Sequence, residues 1–237
     1  FILAYEMVSR LFKKEGYPEN WADKLFVYCI VSSVIGARLG HCLFYEWDYY
    51  SVHPAEILKI WKGGLASHGG VFAIILALVW YSKKVTKKSV WWLFDRMIPA
   101  VAVVCFCIRF GNLMNSEIYG YPTTLPWGFE FVRSREWHQL YEGLPCHPTQ
   151  IYEMLYCLVA GVTAWVMYHK YHLQNRVGLI TGVSLLIFFG SRFALEFMKN
   201  PQVVEETNMT LNIGQWLSVP LILLGGYLIY KSKTAKV

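Results

Sequence analysis

Charge is scarce in this sequence. Only 16% of its 237 residues are Asp, Glu, Lys or Arg, where a soluble domain carries about a quarter. The shortage argues against a soluble domain and for a membrane protein. Several chemical signatures are missing as well. The six cysteines, Cys29, Cys42, Cys105, Cys107, Cys146 and Cys157, form no CxxC pair. At least four lie inside apolar runs, so they read as small buried hydrophobes rather than a disulfide framework or zinc site. Cys146 is the exception, in a polar connection. HExxH and other metal-ligand spacings are absent, and no metal or cofactor is expected. There is no GxSxG elbow. The net charge of +6 is not arranged as a basic stripe with interleaved aromatics, which argues against a nucleic-acid partner. No internal repeat and no signal peptide are visible.

Apolar residues fill the space. The chain is 55% hydrophobic and 17% aromatic, with a mean hydropathy of +0.33. Crossing a bilayer takes about 20 apolar residues. Runs at about 22–45, 65–82, 91–110, 148–169, 177–198 and 213–230 qualify. The opening stretch, "FILAYEMVSRLF", starts without Met inside an apolar run and is expected to be the remnant of another span. The expected fold is therefore an all-α polytopic membrane protein with seven transmembrane helices, the first truncated. It is expected to form one transmembrane domain over 1–237.

Connections between the runs alternate in charge. "SRLFKK", "SKKVTKK", "HKYHLQNR" and "YKSKTAK" are basic; "YEWDYYSVHPAE", 111–147 and "NPQVVEETN" are acidic or mixed. The positive-inside rule places the basic set, and with it the C-terminus, in the cytoplasm. Segment 111–147 is then extracytoplasmic. Its seven aromatics and three prolines suit an ordered cap.

On this map, polar residues gather toward the outer ends of five spans. Arg38 stands in "GARLGHCLFY", His68 in "GGLASHGG", and Arg109 opens "RFGNLMNSEIYG". His147, Gln150, Tyr152 and Glu153 stand in "HPTQIYE", Arg192 and Glu196 in "SRFALEF", and Gln215 in "GQWLSVP". A mid-helix arginine costs about 2.5–3.5 kcal/mol on insertion scales, so such groups usually face a polar interior. Any one of them singly has a bland reading, such as snorkelling to headgroups. Their common depth favours a site. The glycine pairs around His68 are expected to bend the chain and present that side chain. Guanidinium groups bind phosphate, and at this depth the available phosphate is a phospholipid headgroup. Glu153 is expected to face inward and pair with an arginine. A transporter would need polar groups through the whole membrane depth, and the inner half offers little beyond Asp95.

These six motifs, in this order, resemble the bacterial prolipoprotein diacylglyceryl transferase family over about residues 1–230. The resemblance implies a seven-span enzyme of the bacterial cytoplasmic (inner) membrane. It implies transfer of the diacylglyceryl group of phosphatidylglycerol to the lipobox cysteine of a prolipoprotein signal peptide, with a thioether formed and glycerol phosphate released. The family signature maps onto Arg109, Gly111, Asn112, Asn115, Glu117 and Gly120, its essential histidine onto His68, and its second arginine and motif acid onto Arg192 and Glu196. The expected catalytic residues are His68, Arg109 and Arg192. The expected substrate-binding residues are Arg38, Asn112, Asn115, Glu117, Gly120, His147, Gln150, Tyr152, Glu153, Glu196 and Gln215. Both arginines are expected to clamp the headgroup phosphate, oriented by Glu117 and Glu196, while His68 serves as base or as positioner of thiol or headgroup. Ser116, His41, Lys199 and Gln202 depart from the common family pattern.

Overall fold

The computed structural model describes residues 1–141, 143–199 and 210–234; the whole of "NPQVVEETN", Gln202 included, lies outside them. The described residues form nine α-helices: α1 (Ile2–Lys14), α2 (Asn20–Phe44), α3 (Trp47–Val52), α4 (Ser67–Tyr81), α5 (Val90–Asn115), α6 (Arg135–Leu140), α7 (Thr149–His169), α8 (Leu179–Leu195) and α9 (Ile213–Thr234). Six helical segments are long and apolar enough to cross a membrane: Asn20–Phe44, Ser67–Thr86, Val90–Asn115, Thr149–His169, Leu179–Met198 and Ile213–Lys233. They coincide with the six full runs of the sequence and make this a multi-pass helical membrane protein. Helix α1 has 13 residues, about 20 Å of helix. No strand occurs among the described residues, only isolated pairings such as Gly120 with Lys199.

The chain divides into two compact units, Ile2–Leu93 and Phe94–Val237. The first is built on a close crossing of α2 and α4. A Cβ on Gly36 would stand 2.5 Å from the Gly69 carbonyl oxygen, and one on Gly40 would stand 2.8 Å from Gly69 Cα. Small residues four apart let two helix backbones touch, which lipid cannot drive by hydrophobicity alone. The two glycine pairs of "GGLASHGG" therefore do different jobs. Gly63 and Gly64, at φ +86° and +72°, turn the chain. Gly69 and Gly70 continue inside α4 and pack, so only the first pair bends the backbone. At one end of the unit, Phe12 stacks on Trp92 at 5.9 Å, Tyr17 stacks on Trp21 at 5.1 Å, and the Tyr81 hydroxyl donates to the Trp21 carbonyl at 2.7 Å.

In the second unit α8 and α9 cross on glycine in the same way: a Cβ on Gly182 would meet the Gly225 oxygen at 2.8 Å. Asp95 explains itself here. It is fully buried and accepts from Gly178 N (2.6 Å), Thr181 N (2.8 Å) and Thr181 Oγ1 (2.6 Å). It thus caps the N-terminus of α8 from another helix, satisfying donors a helix start leaves open. The connection after α5 has its own small core of Tyr119, Phe131, Trp137 and Cys146. Tyr119 stacks on Phe131 at 4.6 Å, and Ser134 caps α6 by accepting from Trp137 N. Cys146 is a free, fully buried thiol of this core, and burial pushes its pKa up. It is a packing residue.

Candidate active site

The site is assembled where α5 ends and α7 begins. Helix α5 stops at Asn115, and the chain turns through Ser116 (φ +58°) and Ile118 (φ +59°). A left-handed conformation is unfavourable for both, and most of all for β-branched Ile118. Helix α7 holds the turn in place. Buried Gln150 donates from Nε2 to the Glu117 carbonyl (2.6 Å), and buried Thr149 donates from Oγ1 to the Ile118 carbonyl (2.8 Å). The next residues pair on two sides. Gly120 N donates to the His147 carbonyl at 2.9 Å, and Tyr121 N to the Met198 carbonyl at 3.0 Å. A Cβ on Gly120 would stand 2.3 Å from the Met198 oxygen, so glycine is required for this approach. Gly120 and Gln150, both expected to touch substrate, hold the backbone that carries the site.

A buried chain of charges runs through this frame. Arg109 Nε lies 2.9 Å from Glu153 Oε2, Lys199 Nζ lies 2.9 Å from Glu153 Oε1, and Lys199 Nζ lies 3.4 Å from Glu196 Oε2. The exposures of these side chains are 19% for Arg109, 0% for Glu153, 2% for Lys199 and 6% for Glu196. The Arg109 contact has the distance of a hydrogen bond but not its alignment, so it is an ion pair held by Coulomb attraction. Two cations and two anions alternate, and the chain is balanced. Buried charges survive only when so compensated. The Tyr156 hydroxyl adds a contact to Glu153 Oε1 at 3.3 Å.

Arg109 is thus held by one edge. Its Nη1 donates to Asn112 Oδ1 at 3.3 Å, and Asn112 Nδ2 donates to Glu117 Oε2 at 3.1 Å. Nη2 makes no hydrogen bond among the described residues. Glu117 therefore reaches Arg109 through Asn112, while the direct carboxylate is Glu153, the inward-facing acid expected from the sequence. Asn115 is exposed beside them. Arg192, half-buried on α8, makes no hydrogen bond or ion pair among the described residues. Glu196 pairs with Lys199 rather than with Arg192, but both reach one small space. A Cβ on Gly214 would stand 2.5 Å from Glu196 Oε1 and 3.3 Å from Arg192 Nη2.

Three other expected contacts have local explanations. Gln215 and Asn212 form a reciprocal cap at the start of α9: Asn212 Oδ1 accepts from Gln215 N (2.8 Å) and Gln215 Oε1 from Asn212 N (3.0 Å). This is a capping box, with Asn in place of Ser or Thr. Gln215 Nε2 also ties α9 to the Phe193 carbonyl at 3.3 Å. Tyr152 accepts from Trp127 Nε1 at 2.8 Å and meets His147 Nδ1 at 3.2 Å. Beside this trio an open groove between α7 and α8, lined by Tyr152, Leu155, Tyr156, Ser191 and Leu195 among others, reaches Tyr156 and through it Glu153.

In the first unit, His68 is exposed in the first turn of α4. Arg38 is 3% exposed and donates to five backbone carbonyls. Nε meets Ile57 (2.8 Å), Nη1 meets Gly63 (2.6 Å) and Gly64 (3.2 Å), and Nη2 meets Glu56 (2.7 Å) and Lys59 (3.5 Å). A guanidinium has five N–H groups, so none is left for a phosphate. Arg38 fastens the 56–64 segment.

Lys199, Thr149 and Gly214 were not among the expected site residues. Lys199 stands three residues after Glu196 and Thr149 directly after His-Pro, both readable spacings; nothing local in the sequence marks Gly214. Among the described residues no three His, Cys, Asp or Glu side chains gather as a metal ion would need.

The described residues thus form a multi-span helical membrane protein with an arginine in a buried ion-pair chain. The chain belongs to the prolipoprotein diacylglyceryl transferase family, whose model matches residues 1–231. It is 44% identical to the phosphatidylglycerol–prolipoprotein diacylglyceryl transferase of Porphyromonas gingivalis, over 98% of this chain and 84% of that protein. The same-named proteins of Chloroherpeton thalassium (42% identical, 98% and 84% covered) and Tolumonas auensis (39%, 100% and 88%) are also similar.

Proposed function

We propose that this protein transfers the sn-1,2-diacylglyceryl group of phosphatidylglycerol to the lipobox cysteine thiol of a prolipoprotein, the first step of bacterial lipoprotein maturation. The names of its relatives support the reaction. The observation that carries the site assignment is the ion pair of Arg109 Nε with Glu153, which, with Nη1 on Asn112, leaves Nη2 for a phosphate oxygen.

The chemistry is a displacement at the glycerol carbon bearing the phosphate. A carbon–sulfur bond forms, the carbon–oxygen bond to phosphate breaks, and its electron pair leaves on glycerol 1-phosphate. The thiol proton must go to a base, since a cysteine has an unperturbed pKa of about 8.5. Arg109 and Arg192 hold the phosphate and stabilise the charge that grows on it, where fixed positive charge in a dry site is worth most. His68 accepts the thiol proton or positions the thiol. Asn112, Asn115 and Glu117 line the headgroup side, and His147 with Tyr152 borders the groove. The enzyme sits in the bacterial inner membrane as one seven-span domain, with the site toward the outer leaflet, segment 111–147 as an extracytoplasmic cap, and the C-terminus in the cytoplasm. Alternating connection charge supports this orientation.

The test is incubation of the purified protein with phosphatidylglycerol and a lipobox peptide. The expected result is a diacylglyceryl mass gain on the peptide cysteine and stoichiometric glycerol phosphate. A Cys→Ser peptide should gain nothing. Lipid hydrolysis without peptide labelling would overturn the proposal.

A further inference from the structure

We propose that Lys199 is the positioning residue that sets both arginines at once, acting through Glu153 and Glu196. This rests on the phosphate-binding role given above to Arg109 and Arg192.

The geometry has two arms, an ion-pair chain to Arg109 and a shared space beside Arg192. Along one arm, Lys199 Nζ and Arg109 Nε grip opposite oxygens of the same carboxylate, each at 2.9 Å. Along the other, Lys199 Nζ meets Glu196 Oε2 at 3.4 Å, and Glu196 Oε1 borders the Gly214 space that Arg192 Nη2 also borders. The lysine is itself fixed by its backbone. It pairs across from Gly120, its N–H donates to the Glu196 carbonyl at 3.4 Å, and Tyr121 N holds the preceding carbonyl at 3.0 Å. Its side chain is 2% exposed, so water contributes little to balancing its charge.

Charge balance then dictates what its loss does. Two buried carboxylates would face one fewer cation. The cheapest compensation is for Arg109 and Arg192 to turn their Nη groups onto Glu153 and Glu196, away from phosphate. Removing one partner of a buried pair leaves such an uncompensated charge. Lys199 touches no reacting atom in this account. Its effect appears in how the arginines meet the headgroup.

The experiment compares Lys199→Met, Lys199→Arg and the double variant Lys199→Met/Glu153→Gln in the transfer assay, with thermal stability in detergent read alongside. Lys199→Met should lower kcat/KM for phosphatidylglycerol at least 100-fold, with KM raised and kcat lowered together. Lys199→Arg keeps the charge and should retain at least a tenth of the wild-type value. The double variant restores balance along the Arg109 arm and should recover at least tenfold over Lys199→Met, a non-additivity expected only of coupled groups. A merely structural lysine would move stability without this rescue. Lys199→Met within threefold of wild type, a folded but inactive Lys199→Arg, or strictly additive losses would each overturn the proposal. If Lys199→Met does not accumulate, the charge-balanced double variant and Lys199→Arg decide it. Arg109→Gln separates the two readings: should it keep full transfer, the phosphate role fails, whatever Lys199 does.

Discussion

Glu153 Oε2 stands 2.9 Å from Arg109 Nε, while Arg109 Nη1 donates to Asn112. A lysine at position 109 has one ammonium and no second edge, so it cannot hold the glutamate and a phosphate in two directions. Arg109→Lys is expected to lower transfer by roughly 10²- to 10³-fold, the usual loss when one fixed donor to a developing oxyanion goes. Stability should change little, because the charge next to Glu153 survives. Peptide labelling and a thermal melt check both halves. Wild-type turnover in this variant would end the two-edged role.

Arg38 gives the opposite expectation. Its five N–H groups all serve carbonyls of the 56–64 segment. Arg38→Lys offers three donors in another geometry and leaves some carbonyls unmatched, at about 1–3 kcal/mol for each buried one. The expected loss of stability is on the order of 3 kcal/mol. In the folded fraction, KM for phosphatidylglycerol should stay within threefold. A large rise in KM at unchanged stability would return Arg38 to the lipid.

The contrast between these two arginines shows what the sequence could and could not say. Six spans were legible because each is a run of about the length a bilayer demands. An inward-facing Glu153 was legible because a carboxylate near the start of an apolar helix needs a cation. The acceptors of Arg38 were not, since a motif shows a charge and not the carbonyls of a segment some 20 residues on. The pairs Gly63–Gly64 and Gly69–Gly70 look alike as letters, yet one turns the chain and the other lets α4 touch α2. The Asn212–Gln215 cap was readable from its spacing alone. The spacing of Lys199 from Glu196 was readable too, but its pairing with Glu153 and its burial were not, because they depend on Gly120 bringing a distant backbone against it.

Gly214 should be intolerant of even a methyl group. A Cβ there would stand 2.5 Å from Glu196 Oε1, and Glu196 is tethered to Lys199 rather than free to swing. Gly214→Ala is expected to lower transfer at least tenfold, with a stability loss of about 1–3 kcal/mol from overpacking. Unchanged kinetics would show that Glu196 can shift at no catalytic expense.

Ser116 holds φ at +58°. Glycine there would relieve about 1–2 kcal/mol of left-handed strain and lose roughly 0.5–1 kcal/mol through the freer unfolded chain. The strain is the larger effect, so Ser116→Gly should be neutral to slightly stabilising and fully active. Ser116→Val should lower the melting temperature, because a β-branched residue fits this conformation worst. A thermal melt of both variants orders them.

Glu56 supplies a pH dependence of known sign. Its carboxylate is gripped by Lys59 on Oε1 and by Lys62 on Oε2 at 2.7 Å, and these hydrogen bonds pull its pKa down from 4.5 to about 2. A depressed acid stabilises the folded form above its unfolded pKa. The contribution is therefore present above about pH 4.5 and fades as the pH falls from there through about 2, below which both forms are protonated. Lys62 is more than half exposed, so salt should weaken the effect. The protection of the 56–64 amides against hydrogen exchange, relative to the intrinsic rate at each pH, is expected to fall across that window at low salt. In Glu56→Gln the profile should flatten there, and an unchanged acid response in that variant would place the titrating group elsewhere.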